Sequence, residues 1–514
     1  MVVTTNETET VAVNYTPMEM HGRRVIYTVE PEITSGNILQ VLNKALDVHR
    51  SNRAEEEYLE NYLRGVQPIL YRIKKYNAEI CNKIVVNFAN EIVTFKTAEF
   101  AGQPIQYVSR GVRKNVPELL EKLNSMLISE GKQSKDMELA YKMFTNGVAY
   151  RLILNDKSVG YNERDNYDEA PFEIYIPEPK NTFLVRLNDV TKRPVMGVTY
   201  VYLDKNAVRY TVYTPNITYT VDGTTTRAQK IVRTDVHNFG MIPLIEYPCN
   251  SIYMGAFEPV LPLMDAYNLT MSDRMDGVEQ YIQALMVLKG VDLSREDFLA
   301  LKDLGAIKLP PAQNGSPTDV YYLNDQLDQS QTQTLIDDIY NTILQIVGMP
   351  SQGNGNTSDS SNNGAIILKN GWWSAEARAL ETEGVWRQAE TEFLKVILKI
   401  CEQANALEGL SVSDVQPKFG RHSYEDKLTK TQSFTTLVGA GCPPIQAYTI
   451  SGIVTDPEAA AIQFEAYRAE QEAHEEERLN AELDREREMI ENDSTVSTGG
   501  QGNSATQPEN GASV

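Results

Sequence analysis

The chain is expected to be an α+β protein, mainly helical, and three features of the sequence lead there. Apolar residues recur at three- and four-residue spacing from about residue 35 to 146 and again beyond 255, the period of helices that pack by one face. Between these stretches, residues 148–247 switch to a period near two. A heptad seam after 255 is followed by a compact mixed segment and another helix, so two helices frame a small α/β module. A chain of this length suggests about three domains. With 41% hydrophobic and 23% charged residues, it can bury ordinary cores.

Residues 1–35 are rich in Thr, Glu and Val without helical periodicity and read as an arm or short strands. Ser35 is placed to cap a helix that ends at Gly65, with Ile38, Leu39, Leu42 and Leu46 on one face. Further helices are expected over about 77–96, 116–128 and 134–146, the last closed by Gly147. AYRLIL, FEIYI, NTFLVRL, GVTYVYL, VRYTVYT and ITYTV then read as strands, with Asp222-Gly223 as a hairpin turn.

After Gly255, the residues Phe257, Leu261, Met264, Asn268, Met271, Met275, Val278, Ile282 and Leu285 alternate in steps of four and three, a heptad seam with one polar member. Pro259 and Pro262 suit a first helical turn. A helix from Pro262 to Met286 would be about 37 Å long, which calls for neighbouring helices along it. Packing between subunits is one reading of the seam, and an intramolecular core helix is the other. In the first reading Asn268 sets register at a cost in stability, so Asn268→Leu would raise thermal stability. Residues 287–326 mix short strands with a short helix, and helix resumes near 330. The segment PSQGNGNTSDSSNNG, 350–364, is wholly polar and longer than an ordinary connection. A long helix over about 365–405 carries all three tryptophans, Trp372, Trp373 and Trp386. A short helical cluster follows. From Asp456 to Asp493 the chain has 14 acidic and 4 basic residues, a solvated helix, and the end has the composition of a disordered tail.

The chemistry that is missing narrows the function. The net charge of −22 disfavours a protein that grips nucleic acid. Cys81, Cys249, Cys401 and Cys442 lie far apart with no C-x-x-C pair, which argues against structural zinc and for reduced thiols in a cytosolic setting. No apolar run reaches 18 residues, so no membrane span is expected. The first residues do not resemble a signal peptide. P-loop, H-E-x-x-H, G-x-S-x-G and EF-hand patterns are absent, and the five histidines are scattered. Asp265, Asp273 and Asp276 lie near one another on the seam helix. They are candidates for a magnesium-dependent nuclease site, or they are simply polar positions beside the seam. No catalytic residue, cofactor or metal site is expected.

Several segments, in order over roughly 55–405, resemble the portal proteins of tailed bacteriophages, nearest to the branch from long-tailed phages of Gram-positive hosts. NKIVVNFANEIVTFKTAEFAGQPIQY (82–107) is similar to the family's N-terminal helix and G-x-P-[IV] turn. DMELAYKMFTNGVAYRLILND (136–156) is similar to its segment of small residues, glycine and strand. The most specific match is IPLIEYPCN (242–250) followed by GAFEPVLPLMDAYNLTMSDRMDGVEQYIQALMVLKG (255–290), in which Glu258, Asp265, Tyr267, Asn268, Ser272 and Asp273 fall where the family has such residues.

The resemblance implies a phage portal fold with wing, two-helix stem, α/β clip and helical crown. It implies a ring of about twelve identical subunits at one capsid vertex. In this chain it places an N-terminal arm at 1–30, the wing at 31–254, stem helices at 255–286 and 327–349, the clip at 287–326, a channel (tunnel) loop at 350–364, a long wing helix at 365–409, the crown at 410–493 and a tail at 494–514. Stem packing between subunits would use Leu261, Met264, Asn268, Met271, Met275, Val278, Ile282 and Leu285. The channel loop would face double-stranded DNA with Asn354, Asn356, Ser358, Asp359, Asn362 and Asn363, through weak contacts to phosphate and sugar. Arg274 and Lys289 are candidates for a ring of positive charge, with outward exposure the alternative for both. The partners implied are DNA passing through without sequence preference, a separate terminase ATPase, head-completion adaptors, scaffold and major capsid protein. Assembly would take place in the host cytoplasm and leave the protein in the virion. A virion assembly or adaptor protein without a DNA channel is the competing reading, and the metal-dependent nuclease a more distant one.

Overall fold

A computed structural model describes residues 22–75, 78–110, 116–155, 170–282, 286–289, 319–322, 329–350, 371–420, 427–454 and 457–496. The chain divides into two compact units, one up to His422 and one from Ser423.

The strand-rich region of the first unit forms two sheets. Six strands lie in the order β1 (Ile26–Thr28), β5 (Thr182–Leu187), β6 (Pro194–Tyr202), β7 (Val208–Tyr213), β8 (Ile217–Gly223) and β9 (Ala228–Val236). All neighbours are antiparallel except β1, which runs parallel to β5. The period of two read from the sequence puts alternate side chains on the inner face: Met196, Val198 and Tyr200 on β6, and Val208, Tyr210 and Val212 on β7. Helix α1 (Ile38–Leu63) covers this face with Ile38, Val41, Leu42, Ala45 and Leu46, spaced for one helical stripe. Each large side chain so buried contributes about 1.5–3 kcal/mol. Two asparagines of α1 hold the sheet at its ends: Asn43 bonds both the amide and the carbonyl of Ala228 on β9, and Asn52 does the same to Arg24 before β1.

The second sheet has the order β10 (Leu244–Pro248), β3 (Val148–Asn155), β4 (Phe172–Tyr175). It packs into the main core with α2 (Phe88–Ala101), α3 (Val116–Ser129), α4 (Lys132–Asn146) and a long helix over Trp372–Gln403, around Phe100, Phe144, Phe172, Tyr247, Trp386 and Phe393. Inside this core lies a closed ion cluster. Arg151 and Glu390 are both fully buried and bonded at 2.8 Å. Arg151 also pairs with Asp136, which accepts from Lys132 at 2.6 Å. Glu390 further accepts from Tyr107, from Tyr247 at 3.1 Å and from the Trp386 indole at 3.0 Å. Burial alone would raise the Glu390 carboxyl, but Arg151 and Lys132 outweigh it and take it down to about 2.

Three expected boundaries move. The helix expected over about 77–96 begins only at Phe88. Residues 80–87 are outside any helix, because Ile84, Val85 and Val86 favour an extended backbone, the Ile84 and Val86 amides find partners on another helix, and Asn87 caps α2. The arm set at 1–30 contributes residues 22–28 to the body: Arg23 is buried against Glu55 and Glu258, and β1 joins the sheet. Residues 1–21 lie outside the described residues. The segment set as the crown, 410–493, is divided between the units, because β13 (Val415–Lys418) pairs with β2 (Gln106–Ser109) in the first unit and the second begins at Ser423.

The second unit consists of helices Lys427–Gly439, Pro444–Ser451 and Pro457–Val496. Phe434, Tyr448 and Phe464 meet at its centre, with the first two rings stacked 4.3 Å apart. Beyond that point the last helix is exposed, as its acidic composition predicts. The tail beyond Val496 lies outside the described residues.

Candidate functional site

The seam helix, α5, spans Leu261–Ile282 and is about 33 Å long. A short 3-10 turn, Glu258–Val260, leads into it, and Pro259 and Pro262 sit in the first turns, where they cost no hydrogen bond. The Glu258 carboxylate accepts from the Gly255 amide and from Arg23, which ties the helix start to the segment before β1.

The stripe that α5 buries is Leu261, Met264, Asn268, Ser272 and Asp276. It follows the expected seam for two turns and then departs from it, since a straight helix drifts from a seven-residue repeat. Leu261 and Met264 enter the main core with Ile343 and Val347. The three polar members face the extended segment 80–87. Asn268 Oδ1 accepts from the Val86 amide at 2.8 Å, Ser272 Oγ from the Ile84 amide at 3.0 Å, and Asp276 Oδ1 from the Asn82 amide at 2.7 Å. Four helical residues rise about 6 Å and two extended residues about 6.6 Å. Side chains at i, i+4 and i+8 therefore match alternate amides of a strand, and the helix acts as the partner that this strap lacks. Asn268 also donates to Gln67 at 2.6 Å.

Asn268, expected between subunits as a register residue, is instead fully buried in its own chain, where these bonds hold it. Leu261 and Met264 are likewise internal. Met271 is half-buried, while Met275 and Val278 are exposed, as are Leu269 on the same helix and Leu335 and Ile346 on its partner. Ile282 ends the helix, and Leu285 lies outside the described residues.

Asp265, Asp273 and Asp276 do not form a joint site. Asp265 accepts from the Tyr62 hydroxyl at 2.9 Å, and burial raises its carboxyl to about 6. Asp273 pairs with Arg72 at the strap's base, and Asp276 pairs with Lys74 at 2.7 Å and Arg72 at 3.1 Å. Burial works against ionisation of Asp276, but Lys74 and the Asn82 donors prevail and lower it. Among the described residues no group of acidic, histidine or cysteine side chains is arranged to hold a metal ion.

Helix α6 (Gln329–Val347), expected as the second stem helix, packs on α5. Arg274 is used here: its guanidinium donates to Gln333 at 2.7 Å, and Gln333 donates on to Asp337 at 2.7 Å. Tyr267, Phe88 and Tyr340 form a ring cluster between the helices and α2. Between the stem helices, strands β11 (Met286–Lys289) and β12 (Asp319–Tyr322) pair antiparallel, with Lys289 opposite Asp319. The rest of the expected clip lies outside the described residues.

Past α6, Gly348 takes a left-handed turn at φ 71°, and Gly371 at φ 78° opens the long helix α7 (Trp372–Gln403). A Cβ on Gly348 would meet the Arg378 side chain at 2.9 Å, and one on Gly371 would meet the Pro350 backbone at 3.6 Å. The chain thus leaves at Pro350 and returns at Gly371 through one point. The expected channel-loop residues Asn354, Asn356, Ser358, Asp359, Asn362 and Asn363 fall in 351–370, outside the described residues.

The strap and the buried ion cluster were not anticipated. The signal for the strap was present: Asn268, Ser272 and Asp276 put polar groups at four-residue spacing inside an otherwise apolar helix. Nothing local marked Arg151 and Glu390, which lie far apart in sequence.

A family model described as "Phage portal protein, SPP1 Gp6-like" matches residues 42–482. No curated protein matches the chain. Among solved structures, a chain from "Neck of empty GTA particle computed with C6 symmetry" covers 72% of this chain and 90% of its own length, at 12% identity and a TM-score of 0.41.

Proposed function

The chain belongs to the SPP1 Gp6-like phage portal proteins, and from that premise we propose that it lines a DNA channel with its stem and with the loop 350–364. Its role is that of a portal, a connector of the phage particle, and it is structural and not enzymatic. Such a protein works as an oligomeric ring associated with capsid and tail. In the proposed assembly about twelve copies close into a ring, as heterologous contacts with a closing rotation do. Double-stranded DNA passes through during packaging and ejection, a terminase ATPase and later head-completion adaptors dock on the clip, and scaffold and major capsid proteins hold the ring at the vertex. Assembly takes place in the host cytoplasm.

The observation that carries this reading is the joined geometry of the stem. Two packed helices are bridged at one end by the β11–β12 ladder, and at the other the chain leaves and returns at the Pro350–Gly371 point. Arg274 is engaged with Gln333, so it serves the stem pair before any charge ring. Met271, Met275 and Val278 remain the stem positions proposed to meet a neighbouring copy. A polar channel loop also suits transport, because each lysine or arginine contact to phosphate would add affinity and slow the duplex.

Deleting 351–363 tests the channel-loop role. Rings should form with unchanged mass while DNA-filled heads fall by about tenfold or more, the loss expected when a step of packaging is disabled by about 1.4 kcal/mol or more. Normal yield of filled heads would refute it.

A further inference from the structure

The six-stranded sheet ends in a long strand that has a partner on one side only. Among the described residues β9 pairs with β8 and with no other strand, and most of its length is exposed, including Val232 at 52% and Val236 at 65%. A long, exposed, partly apolar edge strand is a template for further pairing, and soluble proteins usually cover or break one.

The charges on this edge are arranged in sequence across strands. Arg209 on β7 lies opposite Asp222 on β8, with an ion pair at 2.8 Å, and Asp222 lies opposite Lys230 on β9. The row reads plus, minus, plus, and the next strand would continue it with a carboxylate. Residues 2–15, VVTTNETETVAVNY, offer that strand: eight of the fourteen are β-branched, none is proline or glycine, and Glu7, Glu9, Val11 and Val13 share one face of an extended chain.

We propose that residues 2–15 of one copy add a strand to β9 of the neighbouring copy, with the Glu7–Glu9 face set against Lys230. The described chain starts at Gly22, four residues before β1, and β1 is the opposite edge of the same sheet from β9. In a head-to-tail ring one end of each subunit meets the other end of the next. In the proposed assembly the β1 edge of one copy faces the β9 edge of the next, so the arm starts beside that edge, whereas its own β9 lies about 24 Å away across five strand spacings. Up to 21 residues, at no more than about 3.5 Å each, reach well beyond the gap between copies. Such an arm stitches each subunit to the next through main-chain bonds, independently of the stem, and caps the edge that would otherwise pair at random. The proposal rests on the ring reading above.

Hydrogen exchange of 228–236 tests it, with light scattering on the same samples to report assembly. In rings of the full chain these amides should exchange about tenfold or more slowly than in dilute subunits, and a chain lacking 2–16 should lose that protection. Lys230→Glu should weaken the protection, and Glu7→Lys with Glu9→Lys should restore it in the Lys230→Glu background. Rings whose 228–236 exchange is indifferent to the deletion would overturn the arm. Protection that is arm-dependent but equal in dilute subunits would overturn the neighbour as the acceptor. A chain that never forms rings would overturn the ring reading first, and light scattering reads that outcome apart from the other two.

Discussion

The wing core and the stem strap both bury polar groups, but they resolve them differently. In the core, Asp136, Arg151, Lys132 and Glu390 are buried and pair with one another, Tyr107, Tyr247 and Trp386 also donate to Glu390, and the Arg151 Nε is left without an acceptor among the described residues. At the strap, one helix face supplies single acceptors to alternate backbone amides, and its outer pair, Arg72 with Asp273, is partly open to solvent. A closed cluster fails as a whole, because removing one charge leaves the others buried and unpaired. A ladder of separate bonds fails one rung at a time. The cluster thereby holds the core of the first unit as one piece, and α5 is held to 80–87 by bonds that can be lost singly.

The largest expected effect tests the closed cluster. Arg151→Met leaves Glu390 and Asp136 buried without their main cation and should destabilise the first unit by about 3–5 kcal/mol in urea unfolding. A loss below about 1 kcal/mol would mean that the cluster does not hold the core. Next comes the strap. Asn268→Leu strands the Val86 amide and the Gln67 side chain and should lower stability by about 1–3 kcal/mol. Exchange should rise at 82–86 and stay unchanged in β3 and α7. Higher stability, the result the heptad seam alone would predict, would contradict the ladder.

The smallest effect sharpens the comparison at the wing–stem root. Burial lifts the Glu56 carboxyl from 4.5 to about 8; Arg23 opposes this, and Glu60, Glu55 and Glu258 add to it. A raised carboxyl binds its proton more tightly in the folded chain. Its contribution is complete below pH 4.5 and is lost as pH rises towards 8. Glu56→Gln should therefore melt close to the parent at pH 4.5 and a few degrees above it at pH 8. Equal melting at both values would show that Glu56 does not feel this burial.

Much of the fold was legible because its signals are local. The period change at 148 marked the sheet region and Gly147 marked the end of α4, but the hairpin expected to turn at Asp222-Gly223 turns at 224–227 instead, because Asp222 and Gly223 pair with Lys230 and Ala228 as the end of β8. Helix α5 was legible for the same reason, through Pro259, Pro262 and the apolar stripe. The strap at 80–87 was misread as helix because Ile84, Val85 and Val86 suit either state in isolation, and only the acceptors on α5, nearly 190 residues away, decide it. A still longer separation, 239 residues, hid the Arg151–Glu390 pair. The seam was half legible: a strict heptad ignores the drift of a straight helix, so its first residues turned out internal and Met275 and Val278 stayed outside.

The measurement that tests the central claim most directly is electron microscopy of the purified full chain, with its mass by light scattering. The account predicts end-on annuli with a central hole wide enough for duplex DNA and a mass of about twelve subunits. A chain that stays monomeric even with scaffold and capsid protein present would contradict it.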